Sequence, residues 1–447
     1  MLLFLKVKGG LIIENLIIIV ALTLFLYFLI VGQYISSLMF AIGIFGIYLI
    51  GGVDLLNGFL RGEPFARTAS YALTTIPLYI LMAQFIMQAG IVKDLYSLMY
   101  SLSKGRPGPL GVMTIILGGL LGGVSGSGTA TSAALGQIAV PELQKRGYPP
   151  HLAGTIAAAS GSLSAIIPPS VILILYGVVA QISIGKLFTA ALIPGLLLML
   201  SFSLVTIVYL KINRDQLRMA SKEFISDNIP VSRYIIVTVM GALMVISIFG
   251  GIYMGVFSPT EAGAIGAFIG LIMATLLGKV TLEFFKRSMI ETSKITVMAM
   301  FIVIGASIFG RFISLSLVPR KVIDLLGPLL DSPTLVILII MVFYFFLFMF
   351  IEGVAVILMT VPIITPILSS IDTDPLWFGI MLTVVCTIGM ITPPVGMSVY
   401  VVGSISGIPI ERLFKTSTVF AIIASIIVIG LLIIFPELVT WLPSQMK

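Results

Sequence analysis

Stretches of roughly 20 apolar residues recur along the whole chain, each long enough to cross about 30 Å of hydrocarbon as a helix. About ten such runs are present, with shorter pieces between them. Hydrocarbon offers the backbone no hydrogen-bond partner, so only helices and closed barrels span it, and runs of this length select helices. Hydrophobic residues make up 59% of the chain and charged residues 10%, against roughly 25% charged in soluble domains. The expectation is an all-α polytopic membrane protein.

The opening run, MLLFLKVKGGLIIENLIIIVALTLFLYFLIVG, places Lys6 and Lys8 ahead of an apolar core, as a signal peptide does. It lacks a small-x-small cleavage site and exceeds the usual signal core, so it reads as a retained span. Cys386 is the only cysteine, which excludes a disulfide framework or a cysteine metal cluster within one chain. The net charge of +7 comes from basic residues between apolar runs; these report topology and not nucleic-acid binding. Lys211, Arg214, Arg218, Lys222 and Arg233 in one polar segment, and Lys279, Lys286, Arg287 and Lys294 in another, are expected in the cytoplasm. "LSSIDTDP", with Asp372 and Asp374 and no basic residue, is compatible with the outer side.

The second half repeats the first. "QIAVPEL" around Pro141 resembles "IITPILS" around Pro366, and "SAIIPPSVILILYGV" around Pro168 and Pro169 resembles "GMITPPVGMSVYVVG" around Pro393 and Pro394. Both pairs are 225 residues apart, and "IGKLF" and "IERLF" follow with a one-residue slip. This divides the chain into a first repeat, 1–210, with a hairpin near 111–140 and a broken helix near 151–181. A cytoplasmic linker, 211–230, leads to a second repeat, 231–447, with a hairpin near 334–369 and a broken helix near 376–406. Counting spans outward from the basic segments gives the two repeats opposite orientations, although Arg320 and Lys321 then fall outside.

"GGVSGSGTATSAAL", residues 122–135, joins two apolar pieces each expected to be too short to span alone. Together they fit a re-entrant hairpin, whose non-helical tip is tolerated at membrane depth only when buried in protein or lining a wet cavity. At the 225-residue offset, Ser127 falls on Glu352 and Gly128 on Gly353, the candidate second tip. The double prolines should break their helices and free carbonyls near 165–167 and 390–392. Two tips and two broken helices are what inverted-repeat transporters use to coordinate sodium through carbonyls and to hold anions at half-helix N-termini. Candidate sodium-binding residues are Gly126, Ser127, Gly128, Ser162, Ser164, Ile167, Pro168, Glu352, Gly353, Gly389, Thr392 and Pro393, for two or more ions. Candidate substrate-binding residues are Ser125, Ser127, Thr129, Glu352 and Gly353. The competing reading is that the glycines and serines serve close helix packing.

Other polar residues carry weaker signals. Glu352 is an intramembrane acid, costing about 2.5–3.5 kcal/mol at the bilayer centre, unless it simply reaches water. Arg311 reads as snorkelling or pairing at a helix end, Glu261 as a charge at a helix N-terminus, and His151, the only histidine, as interfacial. "GVSG", residues 123–126, matches the short serine motif of rhomboid-type intramembrane proteases, with Ser125 as nucleophile and His151 as base. The motif is made of common residues and leaves the repeat unexplained, so no enzyme activity is expected. No G-x-x-x-x-G-K-[ST] phosphate loop occurs, so energy must come from a gradient or another chain.

"SGSGTATSAALGQIAVPELQKRGYPPHLAGTIAAASGSLSAIIPPSVILILYG", "LFTAALIPGLLL", "SPTEAGAIGA" and "ITPPVGMSVYVV" resemble the large membrane subunit of tripartite ATP-independent periplasmic (TRAP) transporters, from about Pro77 to Phe420. The resemblance implies the inverted-repeat elevator fold of the ion-transporter superfamily, in a bacterial inner membrane. It implies sodium-coupled import of an organic acid, often a carboxylate or sialic acid, delivered by a soluble periplasmic substrate-binding protein. A small four-helix membrane subunit is the other implied partner, and this length leaves no room for a fused copy. The implied tips are Ser125–Thr129 and Glu352–Val354, the second often carrying aspartate where this chain has Glu352. A stand-alone sodium- or proton-coupled anion carrier of the same superfamily is the alternative.

Overall fold

A computed structural model describes residues 18–21, 23–25, 27–28, 31–102, 107–213 and 230–446. Most of the opening run, Lys104, Arg106 and most of the 211–230 linker lie outside the described residues. Every regular element among the described residues is helical. Nine of these helices are long and apolar enough to cross a membrane. Leu196, Leu200 and Leu204 on helix Ile184–Ile212 are more than half exposed. Spaced four apart on one face, they form an exposed apolar stripe, as suits a helix of membrane-crossing length.

Four helices form one packed group. Ile35–Leu60 lies along Leu282–Leu315, and Thr75–Gln88 lies along both Pro259–Leu276 and Leu282–Leu315. The apolar core gains little from leaving lipid, so close backbone approach carries the association. A Cβ at Gly43 would stand 2.9 Å from the Phe309 backbone nitrogen, and one at Gly305 would stand 3.0 Å from the Ser36 carbonyl. Helix Pro259–Leu276 starts with a capping box: the Ser258 amide donates to Glu261 Oε2 at 2.8 Å, and the Glu261 amide donates to Ser258 Oγ at 3.3 Å. Glu261 is thus the N-terminal helix charge expected of it.

The rest of the chain is built from two hairpins and two interrupted helices. The first hairpin is Pro107–Ser125 and Gly128–Lys145; the second is Pro333–Phe350 and Gly353–Ser370. Their arms have 18 or 19 residues, roughly 27–29 Å at 1.5 Å per residue; those of the second hairpin are among the nine candidate spans and those of the first are not. The tips of both hairpins end inside the protein, where Gly126, Gly128 and Gly353 are buried. The first interrupted helix runs Pro150–Ser162, then a single 3-10 turn, then Val171–Ala180; the second runs Pro375–Gly389 and Met397–Ser406. The Pro168–Pro169 and Pro393–Pro394 peptides within the breaks are both cis. Gly128 and Gly353, and Pro150 and Pro375, open matching helices 225 residues apart.

The two sets are interleaved. Gly128–Lys145 packs on Pro150–Ser162 and also on Met397–Ser406 from the other half, while Gly353–Ser370 packs on Val171–Ala180. Each hairpin therefore reaches the broken helix of the opposite half, which brings the two tips together.

Candidate functional site

Each tip is two residues long. In the first, Gly126 takes φ +62, a left-handed value that a residue with a Cβ rarely adopts, and turns the chain out of its first arm. Ser127 then caps the second arm, its Oγ accepting from the Ala130 amide at 3.4 Å. In the second tip, Ile351 and Glu352 are extended, and the Glu352 carbonyl accepts from the Ala355 and Val356 amides. Both tips are tied to a helix break. The Val171 amide donates to the Gly126 carbonyl at 3.3 Å, and the Gly396 amide donates to the Met349 carbonyl at 3.1 Å.

A cavity of about 90 Å³ lies where the tips meet. Gly126, Ser127, Gly128 and Thr129 line it from the first tip, and Glu352, Gly353 and Val354 from the second. The wall opposite comes from the four-helix group, with Ile80 and, on helix Leu282–Leu315, Ile295, Met298, Ala299 and Ile302. Met390, at the second helix break, closes the floor; a Cβ on Gly128 would stand 3.0 Å from its sulfur. Glu352 is the only charged residue in this lining. Its carboxylate has no ion pair or hydrogen bond among the described residues.

Behind the first tip the hydroxyls form a chain. Ser125 Oγ and Thr131 Oγ1 hydrogen-bond to each other, Thr131 accepts from Ser164 Oγ at 2.8 Å, and Ser127 and Thr129 pair at 3.2 Å. Thr131 was absent from the expected set. It reaches Ser125 only because the tip reverses the chain between them. Two further hydroxyls, Ser132 Oγ and Ser398 Oγ, are fully buried and have no partner among the described residues.

The broken helices differ from expectation in one respect. Two of the freed carbonyls are taken up again: Ala165 accepts from Ser170 Oγ at 2.6 Å, and Met390 from the Ser398 amide at 3.0 Å. No backbone amide among the described residues donates to the carbonyls of 166–168 or 391–393. The Pro168 carbonyl faces the first hairpin, 2.6 Å from where a Gly123 Cβ would be. Ser162 Oγ donates to the Ala159 carbonyl and Thr392 Oγ1 to the Ile388 carbonyl. Gly389 is pressed against Phe348, whose Cβ would stand 2.6 Å from an added one. Ser162, Ile167, Pro168, Gly389, Thr392 and Pro393 thus surround the breaks but are not in the lining of the tip cavity.

Ser125 and His151 do not form a nucleophile–base pair. Ser125 is held by Thr131 and Ser127, and His151 Nε2 pairs with the Tyr209 hydroxyl at 3.0 Å.

Residues 11–438 match the family described as tripartite ATP-independent periplasmic transporter, DctM component. The chain is 31% identical over 386 residues to the sialic acid TRAP transporter large permease protein SiaM of Vibrio cholerae, covering 84% of this chain and 87% of that one. It is 30% identical over 408 residues to the isethionate TRAP transporter permease protein DctMQ of Oleidesulfovibrio alaskensis, covering 87% of this chain and 63% of that one. The crystal structure of the Alcanivorax borkumensis YdaH transporter superposes with a TM-score of 0.71, covering 95% of this chain and 99% of that chain at 14% identity. At that identity the shared feature is the fold alone.

Proposed function

Because this chain belongs to the DctM component family of tripartite ATP-independent periplasmic transporters, we propose that it is the permease through which such a transporter imports an organic acid, driven by sodium. It is a multi-pass membrane protein, and its relatives are permeases and not enzymes. The membrane is the bacterial inner membrane. The partners are a periplasmic substrate-binding protein and a small four-helix membrane subunit. In the DctMQ relative, this chain matches only 63% of the length, which is in keeping with a second membrane component joined to it there.

The observation that carries the reading is the convergence of both tips on one cavity with a single unpaired carboxylate. A half-buried acid without a protein partner is a place for a cation. The tip hydroxyls of Ser127 and Thr129 supply neutral oxygens beside it, while the unpartnered Ser132 and Ser398 hydroxyls and the free carbonyls at the breaks, outside that cavity's lining, offer neutral oxygens for a further ion. Unsatisfied buried polar atoms are costly and are commonly met by an ion or water. Sodium is the coupling ion, with two or more ions carried per cycle.

The cavity's size supports a moving-domain mechanism. About 90 Å³ falls well short of the roughly 300–1,000 Å³ of small-molecule sites, and the tips face the four-helix group across the gap. For an organic acid to enter, hairpins and broken helices must shift as a body against that group, which is elevator transport.

Uptake is the test. In proteoliposomes containing the permease and small subunit, supplied with the cognate binding protein, an organic acid should accumulate only with an inward sodium gradient, with cooperative dependence on sodium. Equal uptake with potassium or choline replacing sodium would overturn the coupling. Loss of the small subunit on purification, with uptake retained, would favour a stand-alone carrier. The topology is tested separately, by cysteines placed at Ser221 and Asp372 in a Cys386→Ser background. An impermeant thiol reagent added to intact cells should label position 372 and spare position 221, and the reverse pattern would refute the inverted arrangement.

A further inference from the structure

A second cavity, of about 290 Å³, lies on the same interface and contains an arginine. Its wall on helix Leu282–Leu315 includes Val303, Ala306, Ser307, Gly310, Arg311 and Ser314. Their spacing of three and four places them on one face, the face that farther back presents Ile295, Met298, Ala299 and Ile302 to the tip cavity. Val178 and Val179 close it from the first broken helix, and Pro362 closes it from the second hairpin. Those two elements also line the tip cavity, through Val171 and Ile172 and through Gly353 and Val354. From Ile302 to Arg311, from Ile172 to Val179 and from Gly353 to Pro362 the offset is roughly 10–14 Å at 1.5 Å per residue, in the same sense away from the tips. The two cavities are consecutive stations on one seam.

Arg311 is the only charged residue in the second cavity's lining. It has no salt-bridge partner among the described residues, and its guanidinium sits over the Phe59 ring at 5.9 Å. Arg311 is exposed at the mouth of this cavity, its guanidinium set against an aromatic face and not against an acid. Its planar fork suits a carboxylate, and Ser307 and Ser314 flank it with hydroxyls. The volume, about 290 Å³, falls just short of the range for small-molecule sites, roughly 300–1,000 Å³, where the tip cavity is far below it.

We propose that the Arg311 cavity is a second anion site, where the carboxylate of the organic-acid substrate docks before passing along the seam to the hairpin tips. This rests on the proposed function for the identity of the anion. Arg311 recruits the anion while Glu352 recruits the cation, so that neither repels its own ligand at the point of entry.

The charge of the cavity can be read without a transported substrate. Ser307→Cys in a Cys386→Ser background, assembled with the small subunit, would be treated with an anionic and with a cationic methanethiosulfonate reagent. The anionic reagent should react faster by about tenfold or more, since a charged cleft concentrates counter-ions by such factors. Arg311→Gln should abolish the preference, and Arg311→Lys should retain it, which guards against misfolding of the glutamine variant. Equal rates in the parent, a preference unchanged by Arg311→Gln, or an unreactive cysteine would overturn the anion site.

Uptake of succinate, N-acetylneuraminate and isethionate then tests passage of the substrate. Transport of any of them should fall about tenfold in Arg311→Gln and largely recover in Arg311→Lys, and uptake in Arg311→Gln equal to the parent would overturn the docking role. Should the parent take up none of the three while its cysteine retains the Arg311-dependent preference, the anion site stands and the organic-acid reading fails.

Discussion

Replacing Glu352 with glutamine is expected to lower sodium-driven uptake by about 10- to 100-fold, the effect of losing a charge-assisted contact worth about 1.5–3 kcal/mol, without unfolding the protein. The two halves of this expectation have separate causes. Uptake falls because Glu352 is the one charged group lining the tip cavity, so a neutral amide leaves the cation only neutral oxygens. Stability holds because the carboxylate has no ion pair among the described residues, so nothing is orphaned when the charge goes. An intramembrane charge also costs about 2.5–3.5 kcal/mol on insertion scales, and the glutamine variant should melt in potassium at or above the parent's temperature. A ligand that binds only the folded state stabilises it by about 2.7 kcal/mol at a hundred times its dissociation constant, and this response to sodium should shrink or vanish in the variant. Glu352→Asp keeps the charge and should retain part of the uptake. A glutamine variant with the parent's uptake and the parent's sodium-dependent melting would show that Glu352 merely reaches water.

The parts of this architecture written in local sequence were legible. Proline pairs mark the helix breaks because a missing amide and a ring clash act within one turn, and Gly126 itself permits a left-handed turn that few other residues allow. Offsetting the first tip by 225 residues found Glu352 because the repeat preserves spacing. Contacts between distant segments were not legible. Thr131 needs the reversal at Gly126 to meet Ser125, and Met390 reaches Gly128 only because each hairpin packs on the opposite half's broken helix. The cavity beside Arg311 was not legible either, because its lining comes from four helices distant in sequence: Ile35–Leu60, Val171–Ala180, Leu282–Leu315 and Gly353–Ser370.

The small-residue stretch itself divides into two functions, and a pair of substitutions should separate them. Before the tip, the glycines are packing positions. A Cβ on Gly122 would stand 2.8 Å from the Ser164 Cα and 3.0 Å from its amide nitrogen, and one on Gly118 would stand 2.7 Å from the Ser160 carbonyl. These neighbours are backbone and cannot rotate aside. Gly122→Val should therefore destabilise the protein by about 1–3 kcal/mol or more, equally in sodium and in potassium, with uptake falling because folded protein is lost. At the tip, Ser127 is half-buried against the cavity, where its hydroxyl pairs with Thr129. Ser127→Ala removes one oxygen from the ion's surroundings and one helix cap, which costs about 0.5–2 kcal/mol. Its melting in potassium should fall by no more than that, while half-maximal sodium stabilisation moves to about tenfold higher concentration, the equivalent of roughly 1.4 kcal/mol. Gly353→Val cannot make this distinction, because its Cβ would stand 2.5 Å from the Cys386 sulfur and disturb packing whatever the tip binds. Melting curves of Gly122→Val and Ser127→Ala in both salts decide the matter. An unchanged sodium response in Ser127→Ala, with uptake intact, would make the whole stretch packing and leave Glu352 to hold the ion without help from the first tip.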